Sequence, residues 1–504
     1  MLQQIEPFVG PEINWFAFSP MLTLLVGTLV LMLTGALTPQ WPKGLYAFAT
    51  ATIAGAAGVL AMVQWDDITD NGTRTLAGGV IADDTLSMFI TITICIGVIL
   101  VALLSDDYLR GTPNDGHEMY ALYMVAAIGG IVMASANDLI VLFLGLETLS
   151  LALYVLASSN RRSNESAESG IKYFVLGGFA SAFFLYGIAL VYGATGTTNI
   201  SEMVVALQDG VDPFGNESLA LAGIALLIVG LGFKVAAVPF HVWAPDVYQG
   251  APTPVTAFMA SVGKVAAFAA MLRVLVIALP FYRDDWRPII WVLALLSLVV
   301  GSVLAVVQTN VKRMLAYSSI SHAGFILVGV EAAAHGAGEA DPGPGMAAVV
   351  LYLLLYSVLV IGSFAVVTVV SRNSGGDTSL DSFKGLARRR PMLALAFTVF
   401  LLAQAGVPLT SGFIAKFGVI QAAVEVDSYA IAIIAMVSAV IAAFLYLRIM
   451  VTMWTSDPVE GAAPVSIAFS TGFVIALAVV FTIVVGIVPG WLIDAADTVS
   501  SYAR

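Results

Sequence analysis

The sequence has few charged residues, and this shortage excludes a soluble globular protein. Only 11% of the 504 residues are charged and 59% are hydrophobic, and the mean hydropathy is +0.95. Because this small number of polar groups cannot cover a globular surface in water, lipid must provide most of the solvent. The composition therefore predicts a multi-pass membrane protein.

Cysteine, clustered histidine and nucleotide motifs are scarce or missing as well. The single cysteine, Cys95, excludes a disulfide and a cysteine-ligated iron–sulfur cluster within the chain. The four histidines are too scattered for their spacing to suggest a metal site. No glycine-rich phosphate loop or dinucleotide fingerprint follows a strand. We therefore expect no cofactor in this chain, and any redox chemistry to take place in other proteins.

Apolar segments of about 20 residues, the length that crosses a bilayer, follow one another along the chain. The first residues carry no basic region before an apolar stretch, so we expect no cleaved signal peptide. The twelfth apolar segment is longer than the others and interrupted. The pattern predicts fourteen helices, near residues 19–37, 44–63, 85–105, 119–136, 138–158, 169–194, 218–240, 253–279, 288–308, 312–333, 346–370, 391–425, 428–453 and 465–489.

The charges in the loops predict the orientation. If the N-terminus lies outside, twelve basic residues fall on the cytoplasmic side and four on the outer side. Because positive charge is retained inside, we expect both termini on the periplasmic side of a bacterial inner membrane. The cytoplasmic set is Lys43, Arg110, Arg161, Arg162, Lys172, Lys312, Arg313, Arg372, Lys384, Arg388, Arg389 and Arg390, and the outer set is Arg74, Arg283, Arg287 and Arg504.

A few ionisable residues remain inside the predicted spans. A charged side chain at the bilayer centre costs about 2.5–3.5 kcal/mol on insertion scales unless it faces a partner or internal water. Burial disfavours the charged form, so such groups can take up and release protons as their partners move. The candidates for proton transfer are Glu147, Lys234, Lys264, His322 and Lys416.

Structural roles are the alternative for these candidates. Glu147 and Lys234 would then form a fixed ion pair between helices, and His322 would serve packing and hydrogen bonding.

Other polar residues have a simpler interpretation. Lys172, Arg273 and Arg448 lie near predicted helix ends, where their side chains can snorkel to the membrane interface. His241 and Asp246 are expected to shape the loop that follows the break in the seventh helix.

Two predicted spans contain helix-breaking residues close to a lysine. The stretch VPFHVWAPDVYQGAPTPVT, which follows Lys234, contains four prolines and cannot form an uninterrupted helix. Pro408 and Gly412 interrupt the segment that leads to Lys416. Paired broken helices are typical of transporters with inverted repeats. Two unrelated kinks are the alternative.

The sequence thus predicts an all-α polytopic membrane protein. It has about fourteen transmembrane helices, with two inverted five-helix repeats that each contain a broken helix. The predicted divisions are residues 1–118 (helices 1–3), 119–279 (helices 4–8), 280–453 (helices 9–13) and 454–504 (helix 14 and the tail).

Several motifs carry a resemblance to a known family. The phrase PFHVWAPDVYQGAPTPVTAF and the helices LFLGLETLSLALYVL, GIKYFVLGGFASAFFLYG and GFIAKF strongly resemble the antiporter-like, proton-translocating membrane subunits of respiratory complex I. The resemblance covers about 85% of the chain. The DVYQGAPTPV stretch and Lys416 make it most similar to the subunit N members of the family.

The resemblance implies a role for each candidate residue. Glu147 matches the family's fifth-helix glutamate, which partners the seventh-helix lysine, here Lys234. Lys264 matches the connecting lysine of the eighth helix, and Lys416 matches the terminal lysine from which the proton leaves to the outside. His322 occupies a central position on the tenth helix.

The resemblance also implies partners and cofactors. We expect other complex I subunits around this chain, especially the antiporter-like subunit M and the small membrane subunits. FMN, iron–sulfur clusters and quinone are expected in those other subunits. A subunit of a multi-subunit Mrp-type cation/proton antiporter shares the fold and stays open as the alternative, as does a scaffold whose charges only fix packing.

Overall fold

The computed structural model describes residues 13–38, 41–42, 44–110, 112, 115–208, 217–338, 343–458 and 465–503. Within them, thirteen helices are long and apolar enough to cross a membrane, and two shorter helices form one further interrupted span. This confirms the predicted all-α membrane fold. Lys43, Arg504 and the first twelve residues lie outside the described residues.

The helices follow the predicted spans closely. The first seven spans are α1 (Ser19–Leu37), α2 (Leu45–Asn71), α3 (Thr85–Leu109), α4 (His117–Ser135), α5 (Leu139–Ala157), α6 (Asn164–Thr195) and α8 (Glu217–Val235). Span eight is Thr253–Ile277, which contains α10 (Thr253–Phe258) and α11 (Lys264–Met271) separated by a π-helical turn. The later spans are α12 (Arg283–Val306), α13 (Val311–His335), α14 (Pro344–Asn373), the pair α16 (Pro391–Ala405) and α17 (Ser411–Glu425), α18 (Tyr429–Thr455) and α19 (Phe469–Ile487).

The remaining elements are short and connect or follow the spans. They are the hairpin β1 (Arg74–Leu76) and β2 (Ile81–Asp83), α7 (Ile200–Gln208), α9 (Trp243–Gly250), α15 (Leu386–Arg389) and α20 (Gly490–Tyr502). The sequence analysis predicted none of these short elements. We call the face of the bundle at which α1 begins the α1 face; odd-numbered spans begin there and even-numbered spans begin at the opposite face.

The break in the seventh span lies where the prolines predict it. Helix α8 ends at Val235, and Ala236 has a φ of +58°, which cannot continue a right-handed helix. Pro239 lies in the gap before α9. Pro245 and Pro254 lie instead in the first turns of α9 and α10, where a missing N–H leaves no helical bond unmade.

The break in the twelfth span contains the expected Pro408 but not the expected Gly412. Helix α16 ends at Ala405, and Gly406 and Leu409 have φ values of +92° and +65°. The prediction that Gly412 interrupts the helix is wrong, because Gly412 is the second residue of α17. A Cβ atom there would lie 1.8 Å from the Ala403 carbonyl oxygen, so glycine is needed for the close approach of the two half-helices.

Three spans form the centre of the bundle. Helices α13 and α14 are enclosed along their central lengths, and span eight is almost as fully enclosed. Helices α1 and α2, by contrast, leave most of their surfaces exposed. Because lipid cannot reach the central spans, polar side chains on them must find partners within the protein.

Candidate functional site

Lys234 lies in the last turn of α8, directly before the break. Its buried ammonium lies 2.5 Å from the Ser150 hydroxyl and 3.5 Å from the Tyr154 hydroxyl, both on α5. The free carbonyl groups at a helix C-terminus favour a cation at this position. The break thus presents Lys234 to neutral hydroxyl groups.

Glu147 lies one turn before Ser150 on α5 but does not contact Lys234 directly. Its carboxylate accepts a hydrogen bond from the Ser181 hydroxyl of α6, and its side chain is only partly buried. Among the residues that the structure describes, no ion pair joins Glu147 and Lys234. Ser150 and Tyr154, which sequence analysis did not single out, therefore lie beside this lysine in place of the expected partner.

Lys264 lies in the middle of span eight, directly after the π-helical turn Met259–Gly263. Its ammonium is buried and donates to the backbone carbonyl of Ser319 on α13. π-Helical turns within α-helices frequently mark functional sites. Lys264 therefore contacts α13 only three residues before His322.

His322 is the centre of a buried network of neutral polar side chains. Its Nδ1 atom lies 2.6 Å from the Tyr352 hydroxyl of α14, and its Nε2 atom lies 3.4 Å from the Tyr446 hydroxyl of α18. The Tyr446 and Ser318 hydroxyls are 2.6 Å apart, and Ser318 donates to Gln404 at 3.2 Å. Two neighbouring spans, α14 and α18, thus contact this histidine, and Ser318 extends the network to α16.

Lys416 belongs to α17, but its side chain folds back toward the break that precedes this helix. Its buried ammonium donates to the Ala405 carbonyl at 3.3 Å, at the C-terminus of α16, and lies 4.6 Å from the centre of the Phe325 ring. A Cβ atom on Gly406 would lie 3.0 Å from Lys416 Cδ. The glycine therefore leaves room for the lysine.

The two lysines at the breaks lie on opposite sides of their breaks. Lys234 precedes its break and Lys416 follows its own, so sequence positions alone do not superimpose them. The Lys416 ammonium lies at the C-terminus of α16, where the helix dipole is negative, whereas the Lys234 ammonium contacts hydroxyl groups of α5.

Gln404 extends the His322 network to the end of α16, next to the Ala405 carbonyl that Lys416 contacts. It is the residue before Ala405, accepts from Ser318 and donates to the Ser363 hydroxyl at 2.7 Å. Lys264 and His322 thus meet on α13, and Lys416 contacts the residue that follows Gln404. The signal that could have identified Gln404 is a neutral amide inside the apolar run FLLAQAG.

Arg273 corrects one of the sequence interpretations. Its side chain is fully buried rather than snorkelling to the interface, so that expectation is wrong. Its guanidinium binds both carboxylate oxygens of Asp84 at 2.6 and 2.7 Å, and Nε donates to the Ala134 carbonyl at 2.7 Å. Arg448 donates to two carbonyls at the end of α12.

Asp246 lies on α9, outside the membrane-spanning segments, and joins three elements at the opposite face. Its carboxylate binds Lys172 of α6 at 2.8 Å and Arg313 of α13 at 2.5 Å. Burial favours a raised pKa for Asp246, but the hydrogen bonds and charges of these two cations outweigh it and hold the pKa below its usual range. We call these three residues the inner ion cluster.

The inner ion cluster predicts an acid-dependent stability. Asp246→Asn should lower stability at neutral pH by up to about 1 kcal/mol for each ion pair lost, since both pairs are partly screened by solvent. The folded pKa of Asp246 lies below the unfolded value, so this contribution is present above the unfolded pKa and is lost as pH falls through the folded pKa. Melting temperatures of the purified wild type and variant should therefore converge in acid.

An exposed pair provides the control for this prediction. Asp381 pairs with Lys384 on a solvent-exposed surface, and Asp381→Asn should leave the melting curve nearly unchanged at all pH values. Equal melting temperatures for wild type and Asp246→Asn at neutral pH would contradict the prediction.

Cavities beside the polar residues are small. One of about 160 Å³ borders the inner ion cluster, and one of about 300 Å³ lies beside Arg74 at the α1 face. A larger groove of about 600 Å³ between α16 and α19 is lined by apolar side chains. Within the described ranges, no group of three His, Cys, Asp or Glu side chains is placed to hold a metal ion.

Comparisons with known proteins agree on one family. Residues 136–442 match the family described as NADH:quinone oxidoreductase/Mrp antiporter, TM. The NADH-quinone oxidoreductase subunit N of Rhodococcus opacus is 48% identical over 392 residues, which cover 77% of this chain and 71% of that protein.

Solved structures show the same fold. A chain of respiratory complex I from Thermus thermophilus is 32% identical, with a TM-score of 0.76 and coverage of 94% of this chain and 98% of that one. A chain of the Mrp complex from Dietzia sp. gives a TM-score of 0.84 with 97% of each chain covered, at only 21% identity, which establishes the fold alone. The chain therefore belongs to the NADH:quinone oxidoreductase/Mrp antiporter family of membrane proteins, together with the NADH-quinone oxidoreductase subunit N proteins.

Proposed function

We propose that this chain is a proton-translocating membrane subunit of a NADH-quinone oxidoreductase. In this proposal Glu147, Lys234, Lys264, His322 and Lys416 carry the protons. The observation that supports it most directly is the set of three buried lysines, two at helix breaks and one after a π-helical turn, together with the buried polar network around His322. FMN, iron–sulfur clusters and quinone belong to other subunits.

The geometry suggests how charge moves between these groups. Each lysine ammonium has hydroxyl or carbonyl neighbours and lacks a carboxylate within ion-pair distance among the described residues. A lysine without a counter-ion is poised to lose its proton, and it is recharged when a neighbouring negative group approaches or a neighbouring cation leaves. The helix breaks permit small local shifts without disturbing whole spans.

Glu147 is the point at which we place contact with a neighbouring subunit. It is partly buried on a face of α5 that also exposes Leu144, Leu151 and Val155. A carboxylate facing lipid is costly, so an adjacent protein surface should cover it. We assign that surface to a membrane subunit of the same complex, with subunit M and the small membrane subunits as the candidates.

Sidedness and internal symmetry complete the proposal. The charge bias of the loops makes the α1 face the outer, periplasmic face of the bacterial inner membrane. Residues 119–279 and 280–453 form the two inverted repeats, with the broken spans at α8 and α16–α17 as counterparts. Residues 1–118 and 454–504 flank them.

A native gel tests the assignment to an oxidoreductase. A tagged form of the chain, extracted in mild detergent, should migrate in a very large band that also stains for NADH dehydrogenase activity. Migration in a smaller band without this activity would favour the Mrp-type cation/proton antiporter instead. The 48% identity to a protein named subunit N supports the first outcome.

A further inference from the structure

Glu331 is a buried carboxylate that the proposed pathway does not include. It lies near the end of α13, at the α1 face, and is only 3% exposed. Its Oε1 atom accepts a hydrogen bond from the Ser428 hydroxyl at 2.9 Å and lies 3.3 Å from His335 Nε2. Its Oε2 atom is buried and has no partner among the described residues. Burying an unsatisfied carboxylate oxygen is costly, so this position calls for a functional explanation.

A cavity of about 320 Å³ adjoins this carboxylate. Its lining includes Glu331, His335 and Ser428 together with Arg287 and Trp291 of α12. Because one water molecule needs only about 10–15 Å³ of the space open to its centre, the cavity has room for several of them. The Arg287 guanidinium lies 3.3 Å from both ring nitrogens of His335 and holds the imidazole beside the cavity. Water in this cavity can therefore reach both titratable groups.

The carboxylate lies beyond Lys416 in the direction of the α1 face. The Lys416 ammonium lies over Phe325 of α13, Val419 packs against Gly329, and Ser428 contacts Glu331. Helices α13 and α17 therefore run in the same direction, and both approach the α1 face toward their C-terminal ends. Glu331 is six residues beyond Phe325, or about 9 Å along the helix axis.

An apolar layer separates the two groups in this structure. A Cβ atom on Gly329 would lie 2.7 Å from a methyl group of Val349 and 3.0 Å from one of Val419. These contacts close the space around Gly329, which lies between Phe325 and Glu331 along α13. A proton can cross only when this layer loosens.

We propose that Glu331, with His335, is the proton-release site at the α1 face. When the layer opens to water, the Lys416 ammonium gives up one proton and becomes a neutral amine, and the Glu331 carboxylate takes that proton and becomes a carboxylic acid. Glu331 then passes the proton to His335, which releases it to water in the cavity, and Glu331 regains its charge. This inference rests on the proposed function, because it takes Lys416 as a proton carrier.

The test uses the complete complex reconstituted in liposomes, with NADH-driven proton pumping followed by a pH-sensitive dye. Glu331→Gln keeps the size and the contact with Ser428 but cannot carry a proton. It should reduce pumping by about the same factor as Lys416→Ala, whereas Glu331→Asp should retain most of it. Glu425→Gln, which changes an exposed carboxylate at the end of α17, is the matched control and should pump normally.

The variants separate failure of this inference from failure of the proposed function. Normal pumping by Lys416→Ala would overturn the proposed function and this inference with it. Loss in Lys416→Ala with normal pumping by assembled Glu331→Gln would overturn the release site alone. Equal loss in Glu331→Gln and Glu331→Asp, together with poor assembly on a native gel, would assign Glu331 a structural role and also overturn it. If only Glu331→Gln fails to assemble, the His335→Gln variant provides the test. Release through His335 requires this variant to pump more slowly than the wild type, and unchanged pumping by it would exclude the release site.

Discussion

Lys264→Arg is expected to abolish proton pumping although the side chain keeps its positive charge. Arginine does not release its proton in proteins, so it preserves a structural cation but cannot act as a carrier. Loss of a positioned proton-transfer group lowers the rate roughly 10²- to 10⁴-fold. At that scale the subunit would contribute nothing measurable to the proton gradient. The measurement is NADH-driven acidification of inverted membrane vesicles, normalised to the amount of assembled complex.

A neutral variant and a surface variant complete this test. Lys264→Met removes the charge at similar size and should also fail to pump. Lys384→Arg changes an exposed lysine outside the spans and should pump as the wild type does. If Lys264→Arg pumps normally while Lys264→Met does not, Lys264 is a fixed cation that holds the Ser319 carbonyl, and the proton must take another route.

The spans and their breaks could be predicted because they follow from local chemistry. A run of about 20 apolar residues has only one stable arrangement in lipid, a helix, because lipid leaves no other partners for the backbone. Proline after Lys234 removes helical hydrogen bonds wherever the rest of the chain lies. The candidate lysines were visible for the same reason, since a charge inside an apolar run is costly in any fold.

The partners of those lysines could not be predicted, because they come from distant parts of the chain. Ser150 and Tyr154 contact Lys234 across 84 and 80 positions of sequence. Serine and tyrosine are common in membrane helices, so their presence alone signals nothing. Gln404 gave a stronger signal, an amide in an apolar run, but only the fold shows that it joins Ser318 to the break beside Lys416.

Arg273 shows how a local rule fails when tertiary structure decides. A basic residue near a helix end usually reaches the interface. Here the hairpin and the start of α3 place Asp84 over the end of span eight, which buries both charges together. No pattern in the sequence links positions 84 and 273.

Arg273→Ala is expected to destabilise the protein by about 3–5 kcal/mol, the usual cost of leaving one member of a buried ion pair without its partner. The Asp84 carboxylate would lose both of its guanidinium contacts in a site that is fully buried. This loss is a large part of the stability of an average protein. We expect little variant protein in membranes, and a strongly lowered melting temperature for the fraction that assembles.

The double variant Arg273→Met with Asp84→Asn isolates the ion pair from the other contacts of these residues. Asparagine still accepts the hydrogen bond from the Ser87 N–H with which Asp84 caps α3, and methionine fills much of the arginine volume without a charge. Because no unpaired charge remains, the double variant should be more stable than Arg273→Ala. If its melting temperature is instead as low as that of Arg273→Ala, the cost comes from lost packing and from the freed Ala134 carbonyl, and the ion pair itself contributes little.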